Sequence, residues 1–111
     1  MQKRAAMNFL RVSPQKARLV VDLIRGQRCG DAINILRTTN KRIAPQIEKV
    51  LRSAITNAEN TSSDVDVDKL YVKRIYVNDG PRTKRVRPAP MGRAYRYQRR
   101  MAHIVVEVSD E

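Results

Sequence analysis

Apolar residues recur along this chain in two periods. From Ile43 onward they fall at Ile43, Ile47, Val50, Leu51, Ala54, Ile55 and Ala58. These steps of three and four put one apolar stripe along a helix. Pro45 lies inside the stripe and has no N–H, so this helix is expected to bend there or to start late, near Ala44. Thr38, Thr39 and Asn40 are its candidate caps, and Glu48 precedes Arg52 by the four residues that let them pair on the exposed face. A second stripe, Ala17, Val20, Val21 and Ile24, follows Ser13-Pro14. A serine cap and a proline at the first helical position predict a helix start, and Gly26 predicts its end. Gly30-Asp31 opens a shorter helix with Ala32, Ile33 and Leu36 on its apolar side.

The other period is two. In Ala102–Val108, Ala102, Ile104, Val106 and Val108 alternate with His103, Val105 and Glu107, which predicts a half-buried strand. Leu70–Val77 (LYVKRIYV) is rich in strand formers. Ala5–Val12 alternates more loosely, with Met7, Phe9 and Arg11 against Ala6, Asn8, Leu10 and Val12. Asn60–Asp68 (NTSSDVDVD) reads as a polar loop. The expected fold is α+β, three helices packed on a small three-stranded antiparallel sheet. Its last two strands open into a long extended β-hairpin arm. At 111 residues the chain is expected to be one domain, with a body of 1–78 and 101–111 and an arm of 79–100. At about 3.3 Å per residue, limbs of roughly ten residues reach about 30 Å from the body.

Charge changes this picture. Lys and Arg number 23 against 11 Asp and Glu, a formal net charge of +12. So one-sided a charge costs self-repulsion unless a polyanion offsets it. From Arg82 to His103 there are eight cations and no carboxylate, and seven of the eight are arginine. The planar guanidinium grips phosphate and stacks on exposed bases. Tyr95 and Tyr97 interleave with Arg93, Arg96 and Arg99, offering stacking surfaces, and Pro81, Pro88 and Pro90 lower the entropy lost on ordering. With too little apolar surface to bury itself, and with its ends pinned by strands, the arm is expected to lie against folded RNA. A second basic cluster (Lys3, Arg4, Arg11, Lys16, Arg18, Arg25, Arg28) marks the N-terminal quarter.

Other chemistry is poorly represented. One cysteine, Cys29, excludes an internal disulfide and a cysteine-rich zinc site, and no apolar run approaches the roughly 20 residues of a membrane span. The N-terminus has no long apolar centre, so the expected compartment is the cytoplasm. DVDVD (Asp64–Asp68) has the carboxylate spacing of a calcium loop, but Lys69 and Ile75 stand where that loop needs Gly and Glu. His103 is the sole histidine, and nothing pairs a nucleophile with a base. Neither catalysis nor a cofactor is expected.

Three stretches carry a resemblance: RVSPQKARLVVDLIRG (Arg11–Gly26), TNKRIAPQIEKVLRSAITNAEN (Thr39–Asn60) and DGPRTKRVRPAPMGRAYRYQRRMAHIVVEV (Asp79–Val108). Together they are similar to the bacterial large-subunit ribosomal protein twenty-two family, over nearly the whole chain. The resemblance implies the same fold, binding to large-subunit ribosomal RNA during assembly, and contact with neighbouring ribosomal proteins. It also implies a hairpin tip that lines the nascent-peptide tunnel. Ser13, Lys16, Arg18 and the run Asp22–Gly26 match its first-helix motif, and Lys84, Arg85, Pro88, Gly92, Arg93 and Ala94 its hairpin motif. Ala89, Met91 and Tyr95 depart from the family pattern. The expected RNA-binding residues are Lys3, Arg4, Arg11, Ser13, Lys16, Arg18, Arg25, Arg82, Lys84, Arg85, Arg87, Arg93, Arg96, Arg99 and Arg100. The expected tunnel-lining tip is Pro88, Ala89, Pro90, Met91, Gly92 and Arg93. The rival reading is a free nucleic-acid-binding regulator or RNA chaperone acting off the ribosome.

Overall fold

The computed structural model describes residues 2–61, 66–81, 83–88 and 94–110, with the backbone alone described at 67, 83–88 and 94–99. The elements in chain order are β1 (Gln2–Leu10), α1 (Pro14–Ile24), α2 (Cys29–Thr38), α3 (Ala44–Thr61), a short 3₁₀ turn (Val67–Lys69), β2 (Tyr71–Asp79), β3 (Thr83–Pro88), β4 (Ala94–Arg99) and β5 (Ala102–Ser109). β1, β5 and β2 form one antiparallel sheet with β5 in the centre, and β3 and β4 form a separate two-stranded ribbon. α1 packs on β2 and β5, α3 packs on β1 and β5, and α2 packs on both other helices. This is the expected α+β architecture.

The two hydrophobic periods meet in one core. α1 buries Ala17, Val20, Val21 and Ile24, and α3 buries Ile47, Val50, Leu51, Ala54, Ile55 and Ala58. From below, β5 contributes Ala102, Ile104, Val106 and Val108. Each large apolar side chain removed from water here stabilises the fold by roughly 1.5–3 kcal/mol. Burial also pushes the Cys29 thiol up to about 11, so it stays protonated and unreactive at neutral pH.

Several local expectations are corrected. α3 does begin at Ala44, which leaves Pro45 in the first turn, where no N–H is missed. Two of its predicted caps, Thr38 and Thr39, bond back to the preceding helix instead. Thr38 Oγ1 donates to the carbonyls of Asn34 and Ile35, both at 3.1 Å, and Thr39 Oγ1 donates to Ile35 at 2.6 Å. Ser13 makes no side-chain cap on α1; its carbonyl accepts the Ala17 N–H at 3.1 Å. α2 begins one residue early, at Cys29, and α3 continues through Thr61 into the expected loop.

β1 starts at Gln2 and changes phase near its end. Ala5 and Met7 sit opposite Val106 and Ile104 on the core side, then the register slips between Met7 and Leu10. Leu10 and Val12 return to the core. At the slip Phe9 takes a φ of +61°, rare for a residue with a Cβ, and remains 62% exposed. Its N–H donates to His103 Nδ1 at 3.1 Å, and the two rings meet edge to face at 4.9 Å. A β-bulge re-aims a side chain in this way.

Helix residues and the segment after α1 reach both sheet edges. Along β2, Val72 exchanges hydrogen bonds with the 26–27 segment: Gly26 N–H donates to the Val72 carbonyl at 3.1 Å, and Val72 N–H donates to the Gln27 carbonyl at 2.8 Å. Further along, Arg25 Nη2 donates to Ile75 and Arg18 Nη2 to Val77, both at 3.0 Å. On the opposite edge Asn57 Nδ2 donates to the Arg4 carbonyl at 3.2 Å. Unpaired strand groups that would otherwise template aggregation are thereby occupied.

Two predictions concern stability. Gly26 follows α1 with a φ of +79°, so Gly26→Ala should destabilise the protein by about 1–2 kcal/mol, read as a lower midpoint in urea with an unchanged slope. Glu48 Oε1 accepts from Arg37 Nε at 3.0 Å and Arg52 Nε at 3.1 Å, and chiefly the Arg37 hydrogen bond holds its carboxyl below the usual range. A depressed native pKa adds stability above the unfolded value and loses it as pH falls through the native one. Glu48→Gln should therefore melt below wild type at pH 7, with the two melting temperatures converging in acid.

Candidate nucleic-acid interface

The arm is an antiparallel ladder. Thr83 pairs with Arg99, Lys84 with Gln98, Arg85 with Tyr97, Val86 with Arg96, Arg87 with Tyr95 and Pro88 with Ala94. Positions alternate between the two faces of a ribbon. Thr83, Arg85, Arg87, Tyr95, Tyr97 and Arg99 therefore occupy one set of positions, and Lys84, Val86, Pro88, Ala94, Arg96 and Gln98 the other. The first set pairs each central arginine with a tyrosine across the ladder. Sequence interleaving suggests such a grouping, but only the register decides it, because a one-residue slip would exchange the faces.

The ribbon grows directly out of the body. β2 and β5 remain paired as far as Asp79 opposite Ala102, and the Gly80 N–H donates to the Met101 carbonyl at 2.8 Å. The limbs are close there: a Cβ on Gly80 would lie 3.1 Å from the Met101 backbone. The chain measures 66 × 25 × 16 Å, with a radius of gyration of 17.3 Å, against roughly 13 Å for a compact chain of about this length. Arg82 and the tip residues Ala89, Pro90, Met91, Gly92 and Arg93 lie outside the described residues.

The N-terminal basic cluster separates into parts. Arg18 and Arg25 are tied to β2 as above, and Arg25 Nη1 also donates to Asp22 Oδ1 at 2.6 Å; both retain further N–H donors toward solvent. Lys3 lies opposite Val108 on the helix-covered side of the sheet and is only partly exposed, whereas Arg4 is opposite Glu107 on the open side. Arg100 is exposed at the arm's base.

Arg11, Ser13 and Lys16 come together with residues the sequence reading passed over. With Val12, Leu19, Lys41, Arg42 and Ile43 they line an open hollow of about 570 Å³. A neighbouring hollow of about 640 Å³ shares Arg11, Val12, Arg42 and Ile43 and continues to Phe9, Leu10 and Gln46. Lys41 and Arg42 sit in the connection before α3, some 30 residues from Arg11, and nothing local in the sequence signals that the fold joins them. No carboxylate lines either hollow. A third hollow, about 460 Å³, is different: Arg28 and Arg52 there share the walls with Asp31, Glu59 and Asp68. Among the described residues no group of side chains could hold a metal ion, and no helix is long and apolar enough to cross a membrane.

Comparisons with known proteins bear on this surface. A sequence model of the family described as ribosomal protein L22p/L17e matches residues 5–109. The large ribosomal subunit protein uL22 of Solibacter usitatus (strain Ellin6076) is 68% identical over 111 residues, covering 100% of this chain and 98% of the relative. The protein of the same name from Koribacter versatilis (strain Ellin345) is 56% identical over 115 residues, covering 100% and 69%. That from Staphylococcus haemolyticus (strain JCSC1435) is 49% identical over 110 residues, covering 99% and 93%.

The clamp on β2 separates structural from ligand-facing cations. Arg25→Ala should lower unfolding free energy by about 1–2 kcal/mol, as expected for loss of charge-assisted hydrogen bonds. Lys16→Ala, at an exposed position without a described partner, should stay within about 0.5 kcal/mol of wild type. Chemical denaturation of both variants without RNA measures the difference.

Proposed function

This chain belongs to the ribosomal protein L22p/L17e family, and from that premise we propose that it is a structural constituent of the large ribosomal subunit, in the bacterial cytoplasm, that binds ribosomal RNA. Its role in this reading is architectural rather than catalytic. The observation that carries it is the β3–β4 ribbon: a paired ladder, rich in arginine and without carboxylates, built onto the body by the β2–β5 pairing. A phosphate backbone supplies the countercharge that such a ribbon lacks. Neutralising phosphates releases condensed counterions, with each single-strand-like contact contributing about 0.7 to the salt slope.

The finer assignments belong to the same proposal. The body, residues 1–78 and 101–111, anchors the protein among RNA and neighbouring ribosomal proteins. The arm, residues 79–100, reaches between RNA segments with Lys84, Arg85, Arg87, Arg96, Arg99 and Arg100 on phosphates, joined by Arg82 and Arg93. Lys3, Arg4, Arg11, Ser13, Lys16, Arg18 and Arg25 supply the body's contacts. The tip, Pro88 to Arg93, faces the nascent peptide in the exit tunnel. Shape and backbone contacts position the protein, as is general for structured RNA.

Co-sedimentation tests the proposal. The protein should stay with large subunits through a moderate-salt wash; release into the supernatant would favour a regulator acting off the ribosome. A variant lacking residues 82–99, with the limbs rejoined, should melt cooperatively, because every helix and all three strands of the main sheet lie outside the deletion. Its RNA binding should show a salt slope smaller by up to about 5, the contribution of seven lost cations.

A further inference from the structure

The two joined hollows between the end of β1, the start of α1 and the connection into α3 have the build of a nucleotide site, and we propose that they receive an unpaired RNA nucleotide whose base leaves its stack. The inference rests on the RNA-binding reading above and adds a location and a ligand class to it. Four cations, Arg11, Lys16, Lys41 and Arg42, stand around the rim, all exposed. None of their side chains has a hydrogen bond or ion pair with a described residue. Glu48, the first carboxylate of α3, is held by Arg37 and Arg52 and lines neither hollow. The rim is therefore a patch of uncompensated positive charge, suited to a bent phosphate backbone.

A flat phosphate patch needs no apolar floor, yet this one has Val12, Leu19 and Ile43. Leu19 is 60% exposed, and Phe9 at the far end is 62% exposed. Among the described residues, two of the three exposed large apolar side chains thus lie within one cationic rim. Phe9 is there because its left-handed backbone and the Phe9 N–H to His103 bond turn it out of the alternation of β1. The hollows, about 570 and 640 Å³ and open to solvent, leave room for a base to lie against the apolar side chains while its phosphates stay at the rim. Phosphates on the rim and a base against Leu19 or Phe9 would satisfy both chemistries at once, as single-stranded nucleic-acid sites do elsewhere.

The test uses the full chain and large-subunit ribosomal RNA, with chemical probing of the nucleotides and binding measured across a salt series. Lys41→Ala/Arg42→Ala should lower the salt slope by about 1.4, two contacts' worth, and expose one short unpaired tract. Leu19→Ala and Phe9→Leu, each checked for a native melt, should leave the slope unchanged, weaken binding about five-fold or more, and expose the same tract. If the cation pair moves the slope while both apolar variants bind like wild type, the groove is a phosphate patch and the base site is wrong. If all variants behave as wild type, the groove is not an RNA site, although wild-type binding would leave the family reading standing. Wild type failing to bind the RNA at all would instead overturn that reading. A benzoylphenylalanine crosslinker placed at Leu19 should attach to RNA in assembled subunits; attachment to protein alone would overturn the nucleotide assignment.

Discussion

β2 and β5 run side by side and antiparallel from Tyr71 opposite Ser109 to Asp79 opposite Ala102, and the arm is built on this pairing. A ribbon whose sequence carries this much like charge and so little apolar bulk cannot hold its own two limbs together in water; isolated hairpins are marginal even without repulsion. Its limbs meet because the two strands feeding them are fixed by a buried core. β5 does most of this, lying between β1 and β2 with its inward residues covered by α1 and α3. The Gly80 N–H to Met101 bond extends the pairing past the last sheet residues, at a point where a side chain on residue 80 would crowd the opposite limb.

The same sheet has two edges: side chains and backbone at the end of α1 line the β2 edge, and Asn57 of α3 meets the Arg4 carbonyl on the β1 edge. The β2 edge is the more demanding, because it leads into the arm and cannot be shortened. There the 26–29 segment takes the first positions, and Arg25 and Arg18 take the carbonyls of Ile75 and Val77. Two arginines in a cluster that looks entirely ligand-facing from its composition are therefore part of the scaffold. In the body, charge is balanced locally around Glu48 and in the hollow shared by Arg28, Asp31 and Glu59. The contrast with the groove of Arg11, Lys16, Lys41 and Arg42 is what singles that groove out.

Most of the elements were legible before any coordinates, for reasons visible in single residues. The stripe from Ile47 to Ala58 and the alternation from Ala102 to Val108 are strong periodic signals, and both appear as drawn. Gly26 marked a helix end that needs a positive φ. Pro45 limited where α3 could begin. The failures have equally local causes. Thr38 and Thr39 can cap forward or bond backward, and sequence does not choose. β1 contains residues of both faces because it bulges at Phe9, so alternation alone assigned its sides inconsistently.

By itself the sequence determined the periods, the number of helices and main strands, the placement of uncompensated positive charge, and the family to which the chain belongs. The first three follow from composition and spacing, the family from the match of its motifs along the chain, and none of them needs knowledge of what lies nearby. The tertiary structure decided which cations are tethered and which are free, and it brought Lys41 and Arg42 to Arg11 and Lys16. It also set Arg85 and Arg87 across from Tyr97 and Tyr95. Such facts depend on register and on contacts between residues distant in the chain, and those arise only when one shared core fixes every element at once.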